Sequence, residues 1–185
     1  MTNIFVIRHA EKPSGQLQGV NEQGINDEKS LIPRGWQRAG ALAALFDSPN
    51  GLPPPARIYA SDPEKEKVAP HDKIGSNSQR PLETVTPLAA KLRIVPIVRY
   101  AKGDETTLIA EVANLDSTTL ICWQHEAIPQ IAGLIMGSAE GIPTPWPPDR
   151  FDVIWSFTRE DTTKPWIFSQ ICQQLLAGDG LQAIP

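Results

Sequence analysis

The sequence lacks the features that mark disulfide-rich, membrane-spanning and nucleic-acid-binding proteins. It has two cysteines, Cys122 and Cys172, and no CxxC pair, so we expect neither a disulfide framework nor a cysteine-based zinc site. No apolar run approaches the roughly 18 residues that span a bilayer, and the amino terminus lacks the segments of a signal peptide. The net charge is −4, whereas nucleic acids and membranes usually require a basic excess. We therefore expect neither partner, and a cytoplasmic location.

The order of apolar segments predicts an α/β fold. The length of 185 residues suits a single domain over 1–185. Apolar runs predict strands, and apolar residues at helical spacing predict helices. The predicted strands are 4–7, 57–60, 94–98, 118–123 and 151–157, the predicted helices are 33–46, 81–92, 108–115 and 128–135, and 167–176 suits either. Alternating strands and helices indicate a largely parallel sheet, and Pro96 favours an edge position for its strand.

Two of the three histidines follow predicted strands. In open α/β sheets, ligands bind outside the carboxyl ends of the strands. His9 and His125 are expected at that edge, with Arg8 beside the first and Arg80 at the start of a helix. Arginine forks match phosphoryl oxygens in pairs, and a neutral imidazole can attack phosphorus and form phosphohistidine. The four residues together predict a pocket that binds a phosphoryl group, or a phosphate or sulfate ion.

Several segments, in the expected order, resemble the histidine phosphatase superfamily, which has the phosphoglycerate mutase-like fold. They are 4–11 (with Arg-His-Ala where the family usually carries Arg-His-Gly), 31–39, 61–63 with 80–84, and 121–125. The resemblance implies a three-layer α/β/α sandwich around a mostly parallel central sheet. It also implies that His9 becomes phosphorylated, that Arg8, Arg80 and His125 bind the phosphate and stabilise the transition state, and that no metal or other cofactor is required.

The group that protonates the leaving alcohol is left open among three carboxylates. A carboxyl with a raised pKa is the usual donor. Mutase-like members of the family point to Asp104 or Glu105, and the acid-phosphatase branch points to Glu126. All three also suit the first turn of a helix, where the helix dipole favours acidic residues. A good leaving group, as in phosphohistidine, makes a strong acid less necessary.

Other segments near the predicted pocket have structural interpretations as well. Glu11 is expected to orient Arg8 or Arg80. The stretch between Ser61 and Arg80 is longer than the family norm, and we favour a surface loop containing His71 over a lid. The 143–150 loop is rich in proline and tryptophan, and a structural packing cluster is favoured over a role in flanking the pocket.

The sequence therefore predicts a metal-independent phosphatase that acts through phosphohistidine on His9. Its partner would be a small phosphorylated substrate, with a phosphomonoester or phosphohistidine as the cleaved group, or a phosphoprotein. The chain length and the segment 102–104 look more like small bacterial phosphohistidine phosphatases than like mutases. The alternatives are a phosphate-binding protein on the same fold without useful turnover and a mutase-type phosphotransferase. A Rossmann-type cofactor protein is poorly supported, because no GxGxxG follows the first strand.

Overall fold

A mixed β-sheet forms the middle layer of the molecule. The computed structural model describes residues 1–63 and 78–185. Within those residues the strands are β1 (Thr2–Arg8), β2 (Arg57–Ala60), β3 (Thr119–Trp123), β4 (Val153–Arg159) and β5 (Ile167–Cys172). Their order across the sheet is β2-β3-β1-β4-β5. The pairs β1–β3 and β2–β3 are parallel, whereas β4 is antiparallel to both β1 and β5. Of these strands, β4 alone runs against the others.

Helices cover both faces of this sheet. They are α1 (Pro33–Leu45), α2 (Arg80–Leu92), α3 (Glu105–Val112) and α4 (Ile128–Met136). Side chains of a strand alternate between the two faces, so Phe5 and Ile7 of β1 pack with α1 and α2. Ile4 and Val6 pack with α3 and α4. The predicted three-layer α/β/α arrangement is confirmed, and its parallel part is the block β2-β3-β1.

The predicted strand 94–98 reduces to a single bridging residue. Ile97 bridges Tyr59 in parallel: its N–H donates to the carbonyl of Ile58, and its carbonyl accepts from the N–H of Ala60. Pro96 has no N–H to continue a ladder, and Val95 is 84% exposed. The edge position was therefore predicted correctly, but the length was not. The ambiguous segment 167–176 contains the strand β5.

Glycine at position 35 lets α1 approach the end of β1 closely. A Cβ atom at Gly35 would lie 2.6 Å from the carbonyl oxygen of Glu11, which is closer than real Cβ atoms come. The same carbonyl accepts the N–H of Ile32, just before the helix. The amino-terminal turn of α1 therefore packs directly on the backbone that follows His9.

Candidate active site

The carboxyl ends of two adjacent parallel strands hold the two predicted site histidines. Arg8 is the last residue of β1, and His9 continues the ladder by donating its N–H to the carbonyl of Trp123, 3.1 Å away, at the end of β3. His125 follows two residues later in the chain. The sheet topology therefore brings Arg8, His9 and His125 to the same edge.

Thr84 connects the amino terminus of α2 to this edge. Its hydroxyl accepts the N–H of Ala10 at 2.8 Å and donates to the carbonyl of Arg80 at 2.7 Å. Thr84 is fully buried, so these bonds are shielded from water. They fix the first turn of α2, and with it Arg80, beside the residue that follows His9.

His9 has the tautomer that a nucleophile needs. The residue is 4% exposed, and Nδ1 lies 2.8 Å from the carbonyl oxygen of its neighbour Ala10. A carbonyl only accepts, so Nδ1 carries the proton and Nε2 keeps its lone pair. Burial, and then the nearby Arg8 and Arg80, lower the pKa of His9 to about 3. The imidazole is therefore neutral at neutral pH.

Arg8 is a buried cation, and one edge of its guanidinium has no partner among the described residues. Its Nη1 donates to the carbonyls of Pro148 at 2.7 Å and Arg150 at 3.1 Å, with that of Pro147 at 3.3 Å. Its guanidinium carbon lies 3.9 Å from the ring centroid of Phe151. The residue is 1% exposed, yet Nε and Nη2 have no hydrogen-bond partner among the described residues. Burial lowers the pKa of Arg8 to about 10, so this edge remains charged and suits an oxyanion.

Arg80 adds a second guanidinium to the same region. Its Nη2 donates to the carbonyl of Glu28 at 2.6 Å, and its charge lowers the pKa of His9. Burial lowers the pKa of Arg80 itself. The hydrogen bond to the Glu28 carbonyl therefore holds the Arg80 side chain against the segment that contains Glu28. The charge of Arg80 nevertheless acts on His9.

His125 and Glu126 form a pair at the end of β3. Nδ1 of His125 lies 3.2 Å from Oε2 of Glu126, without hydrogen-bond geometry. Burial, and then Arg8, lower the pKa of His125. Burial opposes ionisation of Glu126, but a backbone hydrogen bond and His125 outweigh it and lower the pKa of this carboxyl. Glu126 is thus ionised in the free protein.

The other two acid candidates bind groups around the start of α3. Glu105 is 3% exposed, and its carboxylate accepts the indole N–H of Trp123 at 2.9 Å and the backbone N–H of Gly103. Asp104 accepts the backbone N–H of Ala101 at 3.1 Å. The charge of Glu126 acts on Arg8 and raises its pKa against the effect of burial. Glu105 instead supports the end of β3 through Trp123.

Glu11 pairs with α1 rather than with a phosphate-binding arginine. Its carboxylate accepts from Nη2 of Arg38 at 2.8 Å and from Nε of Arg34 at 3.2 Å. Glu11 was expected to orient Arg8 or Arg80. It acts on Arg8 through its charge, while its ion pairs are with Arg34 and Arg38 of α1. Because α1 packs closely on the backbone of Glu11, Arg34 and Arg38 lie within ion-pair distance of the Glu11 carboxylate.

One contributor to the site, Lys12, was missed in the sequence, and the 143–150 loop was favoured there only as a packing cluster. Lys12 acts electrostatically on Arg8, His9, His125 and Glu126, although it lies outside the segments that resemble the histidine phosphatase superfamily. The 143–150 loop does form the expected packing cluster, since the ring centroids of Trp146 and Trp155 lie 4.9 Å apart. It also supplies the carbonyls that hold Arg8, so the structural and functional interpretations both apply. His71 and most of the 62–79 loop lie outside the described residues.

The fold is shared with phosphatases of known structure. No family model matches the chain, and no curated protein matches its sequence. A protein histidine phosphatase SixA complexed with tungstate aligns at TM-score 0.58 and 14% identity, over 92% of this chain and 97% of that one. Phosphoserine phosphatase from Entamoeba histolytica, in complex with 3-phosphoglyceric acid, aligns at TM-score 0.55 and 16% identity, over 95% of this chain and 100% of that one. Mycobacterial glucosyl-3-phosphoglycerate phosphatase aligns at TM-score 0.52 and 12% identity, over 90% of this chain and 96% of that one.

These three structural neighbours belong to the histidine phosphatase superfamily. None of the helices in residues 1–63 and 78–185 is long and apolar enough to cross a membrane. At these low identities the likeness establishes the architecture alone. The protein has the phosphoglycerate mutase-like α/β fold that these structural neighbours share.

Proposed function

We propose that this protein is a phosphatase that cleaves a phosphomonoester or phosphohistidine through a phosphorylated His9, without a metal ion. The observation that carries the proposal combines two groups. One is a neutral His9, whose Nδ1–H is bound to the Ala10 carbonyl, and the other is the charged edge of Arg8 that has no hydrogen-bond partner among the described residues. The first group is a nucleophile with an available lone pair. The second is a bidentate donor for the oxygens of the phosphoryl group.

In the first proposed step, Nε2 of His9 attacks phosphorus and the bond to the leaving group breaks. Arg8, Arg80 and His125 stabilise the charge on the three equatorial oxygens. In the second step, water attacks the phosphohistidine, releases inorganic phosphate and restores the neutral imidazole. The Nδ1–H bond to the Ala10 carbonyl holds the ring in the reactive tautomer throughout.

Glu126 is our choice among the three carboxylates for the proton donor, because it lies beside His125 and acts on Arg8. Its pKa is lowered in the free protein, so it becomes a donor only when a bound phosphate dianion raises that pKa. We therefore expect substrates whose leaving groups need little protonation, such as phosphohistidine or aryl phosphates, to react faster than alkyl phosphates.

The proposal is tested with a His9→Ala variant and an aryl phosphate. We expect the variant to lose activity by a factor of about 10³ or more, as removal of a nucleophile does, with an unchanged circular dichroism spectrum. Wild-type protein quenched during turnover should carry phosphate that is labile in acid and stable in alkali, as phosphohistidine is. An active His9→Ala protein would refute the mechanism. A wild-type protein that binds phosphate without turnover would instead support the binding-protein alternative.

A further inference from the structure

The guanidinium of Arg8 is held from one end by the main chain of a remote loop. Carbonyl oxygens of Pro147, Pro148 and Arg150 surround Nη1 at 2.7 to 3.3 Å, and Phe151 covers one face of the group. The guanidinium is rigid and planar, so fixing Nη1 also fixes the direction of the opposite edge. That edge, Nε with Nη2, is the one without a partner among the described residues.

We propose that Trp146 is a positioning residue for Arg8: by binding the carbonyl of Arg150, its indole holds the 143–150 loop in the shape that aims the Nε–Nη2 edge at the phosphoryl oxygens. The inference rests on the proposed function, and it adds a residue about 140 positions from Arg8 to the site. Trp146 itself touches no reacting atom, so its effect passes through Arg8.

The contacts of Trp146 connect the protein core to this carbonyl. The residue is 2% exposed, and its ring packs against that of Trp155 on β4 with the ring centroids 4.9 Å apart. Its Nε1–H donates to the carbonyl oxygen of Arg150 at 2.9 Å. This oxygen also accepts from Nη1 of Arg8. One carbonyl therefore joins a residue anchored in the core to the cation at the end of β1.

Trp155 provides a matched control within the same aromatic pair. It is also buried, and its Nε1–H also makes one hydrogen bond, but to Oε1 of Gln170 on β5 at 3.2 Å. Replacing either tryptophan by phenylalanine keeps an aromatic ring in the pair and removes one indole N–H. Only the Trp146→Phe change releases a carbonyl that holds Arg8.

The experiment measures tungstate affinity by calorimetry, together with kcat and KM for an aryl phosphate and the melting temperature. We expect Trp146→Phe to weaken tungstate binding and to lower kcat/KM by about fivefold to tenfold, the range of one or two ordinary hydrogen bonds. Trp155→Phe should lower the melting temperature by a similar amount and change both functional quantities less than twofold. Equal functional losses in the two variants would overturn the inference.

A double-variant cycle tests whether the effect passes through Arg8. An Arg8→Lys protein has no planar fork to aim, so adding Trp146→Phe should then change tungstate affinity less than twofold. An undiminished effect in the Arg8→Lys background would contradict the inference.

A readout without ligand separates this inference from the proposed function. Wild-type protein that neither binds tungstate nor cleaves phosphate esters would refute the function. Rotation of the Arg8 guanidinium about its Nε–Cζ bond, measured by nitrogen-15 NMR, would still test the positioning. Faster rotation in Trp146→Phe than in Trp155→Phe supports it, and equal rates overturn it.

Discussion

Lys12 supplies a positive charge to the candidate site from a segment without regular structure. Its charge acts on Arg8, on His9 and on Glu126. Burial, and then repulsion from Arg8 and Arg80, lower the pKa of Lys12. Such repulsion is relieved when an anion binds between the cations. Lys12 is therefore expected to stabilise a bound oxyanion.

We predict that Lys12→Ala weakens phosphate and tungstate binding about threefold to fivefold, the scale of a partly exposed charge interaction of up to about 1 kcal/mol. The salt dependence of binding should also become less steep, because one charge fewer takes part. Lys91→Ala is the control: Lys91 lies in the last turn of α2, where it pairs with Asp47. Affinities that are equal for the two variants over a range of salt concentrations would contradict this role for Lys12.

Single residues show where sequence reasoning about the site succeeds and where it fails. His9 and His125 were found because a buried apolar run predicts both a strand and the place where it ends. Trp146 and Phe151 contact Arg8 or its anchoring carbonyls across about 140 positions of sequence, and no local pattern encodes such a contact. The ion pair between Glu11 and Arg38 was missed for the same reason, since the sequence does not show how the helix that carries Arg38 packs.

At the scale of elements, α1 offers a comparison between two glycines. Gly35 faces the carbonyl of Glu11, whereas a Cβ atom at Gly40 would meet nothing within 4 Å. Alanine is favoured over glycine inside a helix by about 1 kcal/mol. The same substitution should therefore have opposite effects at the two positions.

We predict that Gly35→Ala lowers the free energy of unfolding by about 1–3 kcal/mol, because the added methyl group forces α1 away from the backbone next to His9. Gly40→Ala should raise it by about 0.5–1 kcal/mol. Urea denaturation of both variants measures the effects. A stabilised Gly35→Ala protein would show that the contact between α1 and residue 11 is looser than the structure indicates.

The elements themselves were largely predictable, and their pairing was not. Apolar runs identified β1, β2 and β3, and helical spacing identified all four described helices. The direction of β4 was not predicted, because an alternating pattern shows which residues face the core and not which way a strand runs. The length of the predicted strand around Ile97 was overestimated, because an apolar run does not reveal that one face of the segment lies in solvent.

At the scale of the whole molecule, a buried ionic network joins residues from both ends of the chain. Arg38 is 2% exposed and donates to Glu11 and to Asp179 at 2.7–3.1 Å. Asp179 also accepts the backbone N–H groups of Leu175 and Leu176. Although burial opposes ionisation, these hydrogen bonds lower the pKa of Asp179 to about 2. The network ties the carboxyl-terminal segment to α1 and to the residues after His9.

The pH dependence of stability should reveal the buried neutral state of His9. Its pKa is lowered from 6.5 to about 3 in the folded protein, so between these values the unfolded chain takes up a proton that the native protein does not. Stability from this group therefore falls as the pH falls from 6.5 toward 3. Asp179 has a depressed pKa, so its contribution to stability is fully present above the ordinary aspartate pKa of 3.8 and is lost as the pH falls toward 2. Above pH of about 4.5, the histidine contribution dominates over that of Asp179.

We predict that the urea midpoint of the wild-type protein falls between pH 7 and pH 4.5, and that His9→Asn reduces this fall. The difference in slope between the two proteins should approach one proton, or about 1.4 kcal/mol per pH unit. The contributions of groups common to both proteins cancel in that difference. The buffers must be free of phosphate, because a bound anion would favour the charged imidazole. Identical pH dependence in the two proteins would show that His9 takes up its proton as readily in the folded state as in the unfolded chain, and would remove the basis for treating its ring as a permanently neutral nucleophile.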